Sequence, residues 1–232
     1  MMTLADYKIL FKNGHPIMPA QLTSCINNFG KSYNATVRNI IQNSEELNEA
    51  TFKYNAAKLL INFKMVRKGP FHGLKINDSQ EVHDPKGNLK SCWEATKNDL
   101  LSTHQIIKNA GCHPRTRTLV LLDQFIREEV VSKIWSAFKK MLPITMGKYS
   151  YGLVGASKIL FSVLPEIVLP LDNAQWLFVV KTVDLGDVIN RMADEIIAWE
   201  NETGFQLQDC DKEKPQFTLP AVYNVMAMEA RP

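Results

Sequence analysis

The stretch from Gly152 to Trp176 holds the residue types best suited to handling a polyanion: Gly152 and Gly155, then Ser157 and Lys158 in an apolar run, then Asp172 after Pro170 and Leu171. Glycines at a helix entrance let backbone amides come close to an anion such as a DNA phosphate, which the free N–H groups and the helix dipole favour. The same glycines also suit a tight turn between two helices. Asp172 presents one carboxylate at the start of a helix containing Trp176, where capping the helix is the commonest role of an aspartate.

Other chemistries fail on spacing. Gly147 and Lys148 resemble the end of a P-loop, but Leu142 stands where its first glycine belongs and Tyr149 follows the lysine. The histidines (His15, His72, His83, His104, His113) form no HExxH or HxH pair, and Cys112 beside His113 cannot make a metal site alone. No metal or cofactor is expected. Ser136 to Lys139 fits SxxK, a pattern too short to carry weight, and there is no GxSxG. Cys25, Cys92, Cys112 and Cys210 are far apart and read as free thiols in a reducing cytoplasm. Met1 to Lys12 lacks the apolar core of a signal peptide, and no run is long and apolar enough for a membrane span.

Charge is unevenly placed although the net value is only +3. Thr51 to Asn77 carries Lys53, Lys58, Lys64, Arg67, Lys68 and Lys75 without a carboxylate, and Val130 to Pro165 is likewise free of acid. Asp184 to Glu213 is strongly acidic. One basic and one acidic surface are expected, the basic one suiting nucleic acid through counterion release. Solvated helix faces would explain the same blocks, and Lys64, Arg67 and Lys68 also suit the C-terminal end of a helix dipole.

The elements that must position these residues are helices, with few or no strands. Apolar spacing predicts two short helices over Ala20 to Asn43 broken near Gly30, and a longer one capped at Ser44 and ending near Lys68 and Gly69. Further helices are expected over Ser91 to Asn109, Thr116 to Leu142 (with Leu119 and Phe125 in its buried stripe and Pro143 closing it), Tyr151 to Leu164, Asp172 to Lys181, Asp184 to Trp199 and Leu219 to Met228. Gly69 to Asn88 reads as a loop or irregular hairpin, long enough to be functional. A single mainly α domain over residues 1–232 is expected, or two lobes of about 1–142 and 143–232 with a cleft between them.

The succession Gly-Leu-Val-Gly, Ser-Lys in an apolar helix and Pro-Leu-Asp some fourteen residues later resembles the helix-hairpin-helix DNA glycosylases, particularly bacterial proteins of the 8-oxoguanine-glycosylase-like fold. A weaker likeness covers Thr218, Leu219 and Pro220 to Met228. The resemblance implies a helical DNA glycosylase fold in which Gly152 and Gly155 grip a phosphate. Lys158 or Ser157 then takes the place of a catalytic lysine, and Asp172 is the essential carboxylate. Such an enzyme flips a base out of duplex DNA and breaks its N-glycosidic bond, the carboxylate supporting the charge that builds on the sugar.

The expected DNA contacts are Gly152, Gly155, Ser157, Lys148, Lys64, Arg67 and Lys68; Trp176, Phe71, His72 and His83 are candidates for the base pocket. A monomeric, cytoplasmic enzyme acting on DNA follows, with no cofactor, and the Gly69 to Asn88 loop as a place for unusual specificity towards modified phage DNA in defence. Two other classes fit the composition: a non-catalytic nucleic-acid-binding protein, or a helical interaction module whose acidic region meets a basic partner.

Overall fold

The computed structural model describes residues 6–147, 152–211 and 217–232. The described chain is mainly helical, with two small antiparallel hairpins as its only sheet. No helix among the described residues is long and apolar enough to cross a membrane. β1 (Phe11–Lys12) pairs with β2 (His15–Pro16) through Asn13 and Gly14, both at positive φ, the two-residue turn that an Asn-Gly pair favours.

α1 (Pro19–Asn28) starts on a proline whose missing N–H costs nothing at a first helical position, and α2 (Lys31–Gln42) follows the break at Gly30. α3 (Glu49–Asn62) is capped four residues later than expected. Ser44 donates its hydroxyl to the Ile41 carbonyl and so closes α2 instead. The cap is Asn48, whose side chain accepts from the Thr51 amide at 3.0 Å while the Thr51 hydroxyl accepts from the Asn48 amide at 2.9 Å.

α3 also ends earlier than Gly69 suggested. Lys64 adopts φ 57°, its amide donates to the Ile61 carbonyl, and the Met65 amide reaches back to Leu60, a Schellman closure with lysine where glycine is usual. β3 (Lys75–Ile76) and β4 (Val82–His83) then form the irregular hairpin expected between Gly69 and Asn88.

α4 (Asn88–Asn109) and α6 (Gln124–Thr145) pack along each other at the centre of the fold. Between them lie α5 (Pro114–Arg117), capped by His113 Nδ1, and a 3-10 turn over Thr118–Leu121. The helix expected from Thr116 is therefore interrupted and restarts when Asp123 caps the Phe125 and Ile126 amides. That break moves Leu119 and Phe125 out of the buried stripe; Phe125 sits in the first turn of α6 and is 87% exposed. Pro143 does not close α6, which runs on to Thr145.

α7 (Leu153–Phe161) contacts both α3 and α6. A π-helical segment (Gln175–Val180), α8 (Leu185–Thr203), a 3-10 turn (Leu207–Asp211) and α9 (Leu219–Glu229) complete the chain. Buried apolar residues from both halves join in one core cluster, from Leu10 and Ile26 through Phe52, Phe138 and Ile159 to Trp199 and Val225. The N-terminal hairpin is fastened to this core by Glu195 of α8. Its carboxylate accepts the Ile9 and Leu10 amides at 2.9 and 2.8 Å on one oxygen and the Tyr223 hydroxyl at 2.6 Å on the other.

Candidate active site

The end of α6 and the start of α7 are locked together by Thr145, whose hydroxyl lies 3.0 Å from the Met141 carbonyl and 2.9 Å from that of Gly152. Gly152 has φ 77°, and a Cβ there would stand 2.7 Å from both the Leu142 carbonyl oxygen and Thr145 Oγ1. Gly155 is nearly as confined, a Cβ falling 3.2 Å from Thr145 and 3.3 Å from the Phe71 ring. Both glycines therefore have a packing reason to be glycine, the close approach of the start of α7 to the end of α6.

That close approach leaves a groove of about 530 Å³ beside the hairpin. Lys64, Arg67 and Lys68 line one side of it; Thr145, Gly147, Val154 and Gly155 line the other, with Pro70 and Phe71 between. The structure thus brings together five of the residues expected to handle DNA or its bases: Lys64, Arg67, Lys68, Gly155 and Phe71. Lys64, Arg67 and Lys68 are exposed and form no ion pair with a described residue. Lys148 lies outside the described residues.

One turn along α7 from Val154, Lys158 is only 5% exposed, and its ammonium stands 4.2 Å from the centroid of Phe63. Burial pushes its pKa down to about 8, opposed by the charge of Asp172. An amine that sheds its proton near neutral pH is a competent nucleophile, whereas an exposed lysine is not. Ser157, the alternative at this place, is fully buried and donates to the Leu171 carbonyl at 3.2 Å, tying α7 to the strand of chain that presents Asp172.

Asp172 caps the next helix and also carries a charge pair. Its Oδ1 accepts from the Gln175 amide and its own amide donates to Gln175 Oε1, both at 2.8 Å. Its Oδ2 accepts from Arg231 Nη1 at 2.6 Å. Gln175 Nε2 donates to Asn224 Oδ1 at 2.9 Å, and Asn224 Nδ2 donates in turn to the Tyr33 hydroxyl. A buried polar chain from α2 through α9 therefore fixes the backbone that carries the carboxylate. Tyr33 packs edge-on against Phe63, the ring beneath Lys158, and burial pushes its phenol far above the usual value.

The remaining base-pocket candidates are placed elsewhere. Trp176 is buried and packs on Phe138 in the core, because the turn that follows Asp172 directs it inward. His72 and His83 are exposed on the β3–β4 hairpin and do not line the groove. Phe63, Tyr33, Gln175, Asn224 and Arg231 were not singled out from the sequence. Nothing local to Tyr33, Gln175, Asn224 or Arg231 signals a partner 49 to 191 residues away.

The charge blocks also resolve unevenly. In the second basic block Lys133 pairs with Glu129, Lys140 with Asp99 at 2.7 Å, and Lys139 lies over Trp135. The acidic stretch is largely spent inside the fold: Glu195 holds the N-terminal hairpin, Glu200 caps the Leu207 amide, Asp184 caps α8, and Asp194 pairs with Arg127. Buried Asp211 faces Arg115 and Arg38 and accepts from the Phe217 amide. In the first basic block, by contrast, Lys64, Arg67, Lys68 and Lys75 are exposed and form no ion pair with a described residue. Comparison with protein-family models, curated proteins and solved structures returns no match to this chain.

Proposed function

We propose that this chain is a DNA glycosylase-like enzyme that removes a damaged or modified base by cleaving its N-glycosidic bond. The observation that carries the reading is Lys158: a buried amine with its pKa near 8, on the helix that leaves the glycine hairpin, within the field of Asp172 and one turn from the residues lining a lysine-rimmed groove. In this scheme neutral Nζ bonds to the sugar C1′ as the glycosidic bond breaks and its electron pair leaves with the base. The proton shed by the amine passes to the departing base or to water. Asp172 stabilises the positive charge that gathers on the sugar, for which Arg231 must yield Oδ2. The C1′–O4′ bond then opens, its electron pair and a proton going to O4′, to leave an imine between Nζ and C1′; water adds to that imine and releases the lysine, so the net change is hydrolysis. Gly69, Pro70 and Phe71 border the groove, which supports a role for this loop in choosing the base, phage-type modified bases included.

The test is incubation with duplex DNA bearing normal, oxidised and phage-type modified bases, followed by alkali to reveal abasic sites and by borohydride to trap an imine. Product is expected on one modified substrate, with the trapped adduct lost in Lys158→Ala and base release lost in Asp172→Asn. Absence of alkali-labile sites on every substrate overturns the enzymatic reading. A second reading, binding without excision, is favoured by the 2.6 Å contact that already occupies Asp172 Oδ2; it predicts salt-sensitive binding with no product from any substrate.

A further inference from the structure

The segment after α3 lines more than one groove. Lys64, Met65, Arg67 and Lys68 line the hairpin groove, whereas Val66, with Ile61 and Asn62 from the end of α3, lines a second groove of about 490 Å³. Gly73, Leu74, Lys75 and Ile76 of the β3 hairpin form its opposite wall, and Lys58 of α3 stands at its edge. Its floor is aliphatic, from Ile61, Val66, Leu74 and Ile76; its charges are two lysines. Lys58 is held in place by Tyr54, with the ammonium 5.3 Å from the ring centroid and 3.5 Å from the hydroxyl. The nearest acids in sequence, Asp78 and Glu81, belong to the turn between β3 and β4, where Asn77 Nδ2 holds Glu81 at 2.9 Å.

An apolar floor with cations at its rim and no carboxylate in its lining matches a unit that is apolar in its ring and anionic at its edge. We infer that this second groove seats the sugar–phosphate of a nucleotide flanking the one in the hairpin groove. Deoxyribose then lies on Ile61 and Ile76, and phosphate meets Lys58 and Lys75. The inference rests on the reading of the chain as a DNA-binding enzyme and extends it. The loop turn carrying Lys64 to Lys68 becomes a ridge that the strand crosses, so that both of its faces contact one strand. An aromatic platform is absent from the lining residues, which favours backbone contact over base stacking.

The experiment is fluorescence anisotropy of the whole protein with labelled DNA, short and extended by several nucleotides, over a range of salt. Two charge-reversed proteins are compared: Lys58→Glu with Lys75→Glu, and Lys64→Glu with Arg67→Glu. Exposed Lys75→Glu alone guards against misfolding of the double variant. The second-groove variant is expected to lose about tenfold in affinity for extended DNA. Its salt slope should fall by about two, close to one per phosphate contact, while short DNA is bound nearly as by the parent. Parent-like binding of extended DNA by that variant, alongside loss in the Lys64 and Arg67 variant, removes the second groove from the path yet leaves the first reading standing. Failure of the parent protein to bind any DNA overturns both together. Saturable binding of an acidic peptide in place of DNA reassigns the groove to a protein partner and overturns the inference.

Discussion

A lysine taken out of water must find a countercharge or give up its proton, and Lys158 does part of each: Phe63 offers its ring face and Asp172 its field, yet burial still holds the pKa near 8. The unfolded chain holds the same proton up to about 10.5, so between these values the unfolded state binds more protons and stability rises with pH. Below pH 8 the buried ammonium is a cost on the order of 3 kcal/mol, an upper figure for a 2.5-unit shift. Lys158→Met is therefore expected to raise the thermal midpoint at pH 7 and to lose that advantage near pH 10, as calorimetry at the two pH values would show. Base release should climb as pH passes through about 8, following the neutral amine; a flat profile from pH 6.5 to 9 would exclude Lys158 as nucleophile. Lys64 poses the opposite trade. A non-glycine residue at φ 57° costs roughly 1 kcal/mol, so Lys64→Gly should melt higher by a few degrees while binding DNA less well, with a salt slope smaller by about one. Asp172 was legible in the sequence as a cap, and it caps the Gln175 amide. Its partner Arg231 was not, because a contact across 59 residues leaves no local pattern.

Helix capping explains which elements could be read in advance and which slipped. The break at Gly30, the α4 span, α8 and α9 all follow from apolar spacing bounded by glycine, proline or aspartate. The errors share a cause, competition between neighbouring signals of the same kind. Ser44 and Asn48 both suit a cap, and the tertiary use of Ser44 to close α2 leaves the role to Asn48. Gly69 looked like the end of α3, but a lysine in the left-handed region had already ended it. The Asn13-Gly14 pair favours such a turn, but strands of two residues leave no alternating pattern to mark it. The start of α7, pressed against the end of α6, is sensitive to side-chain volume. Gly152→Ala should cost roughly 3 kcal/mol from its positive φ and its contacts with Leu142 and Thr145. Gly30→Ala, with nothing within 4 Å of the added carbon, should stay within about 1 kcal/mol, and urea denaturation of both compares them directly.

Across the whole molecule, the formal charge of +3 says little, and what counts is which charges are already paired. Lys140 and Lys133 are engaged with Asp99 and Glu129, whereas Lys64, Arg67, Lys68 and Lys75 face grooves without acids in their linings. Replacing both Lys133 and Lys140 by alanine is expected to change DNA affinity by less than about threefold, while Lys64, Arg67 and Lys68 together should account for most of the salt dependence. Titrations at several salt concentrations would separate the two sets. Composition placed the basic residues correctly along the chain but could not say which were free, since each pairing depends on helices meeting in space.

The clamp at Glu195 has a bearing on how the protein is made. The amides of Ile9 and Leu10 wait on a carboxylate that leaves the ribosome some 185 residues later. A nascent chain therefore carries its opening hairpin undocked until α8 has emerged, and hydrogen exchange on stalled chains of increasing length would record that delay as late protection of these two amides.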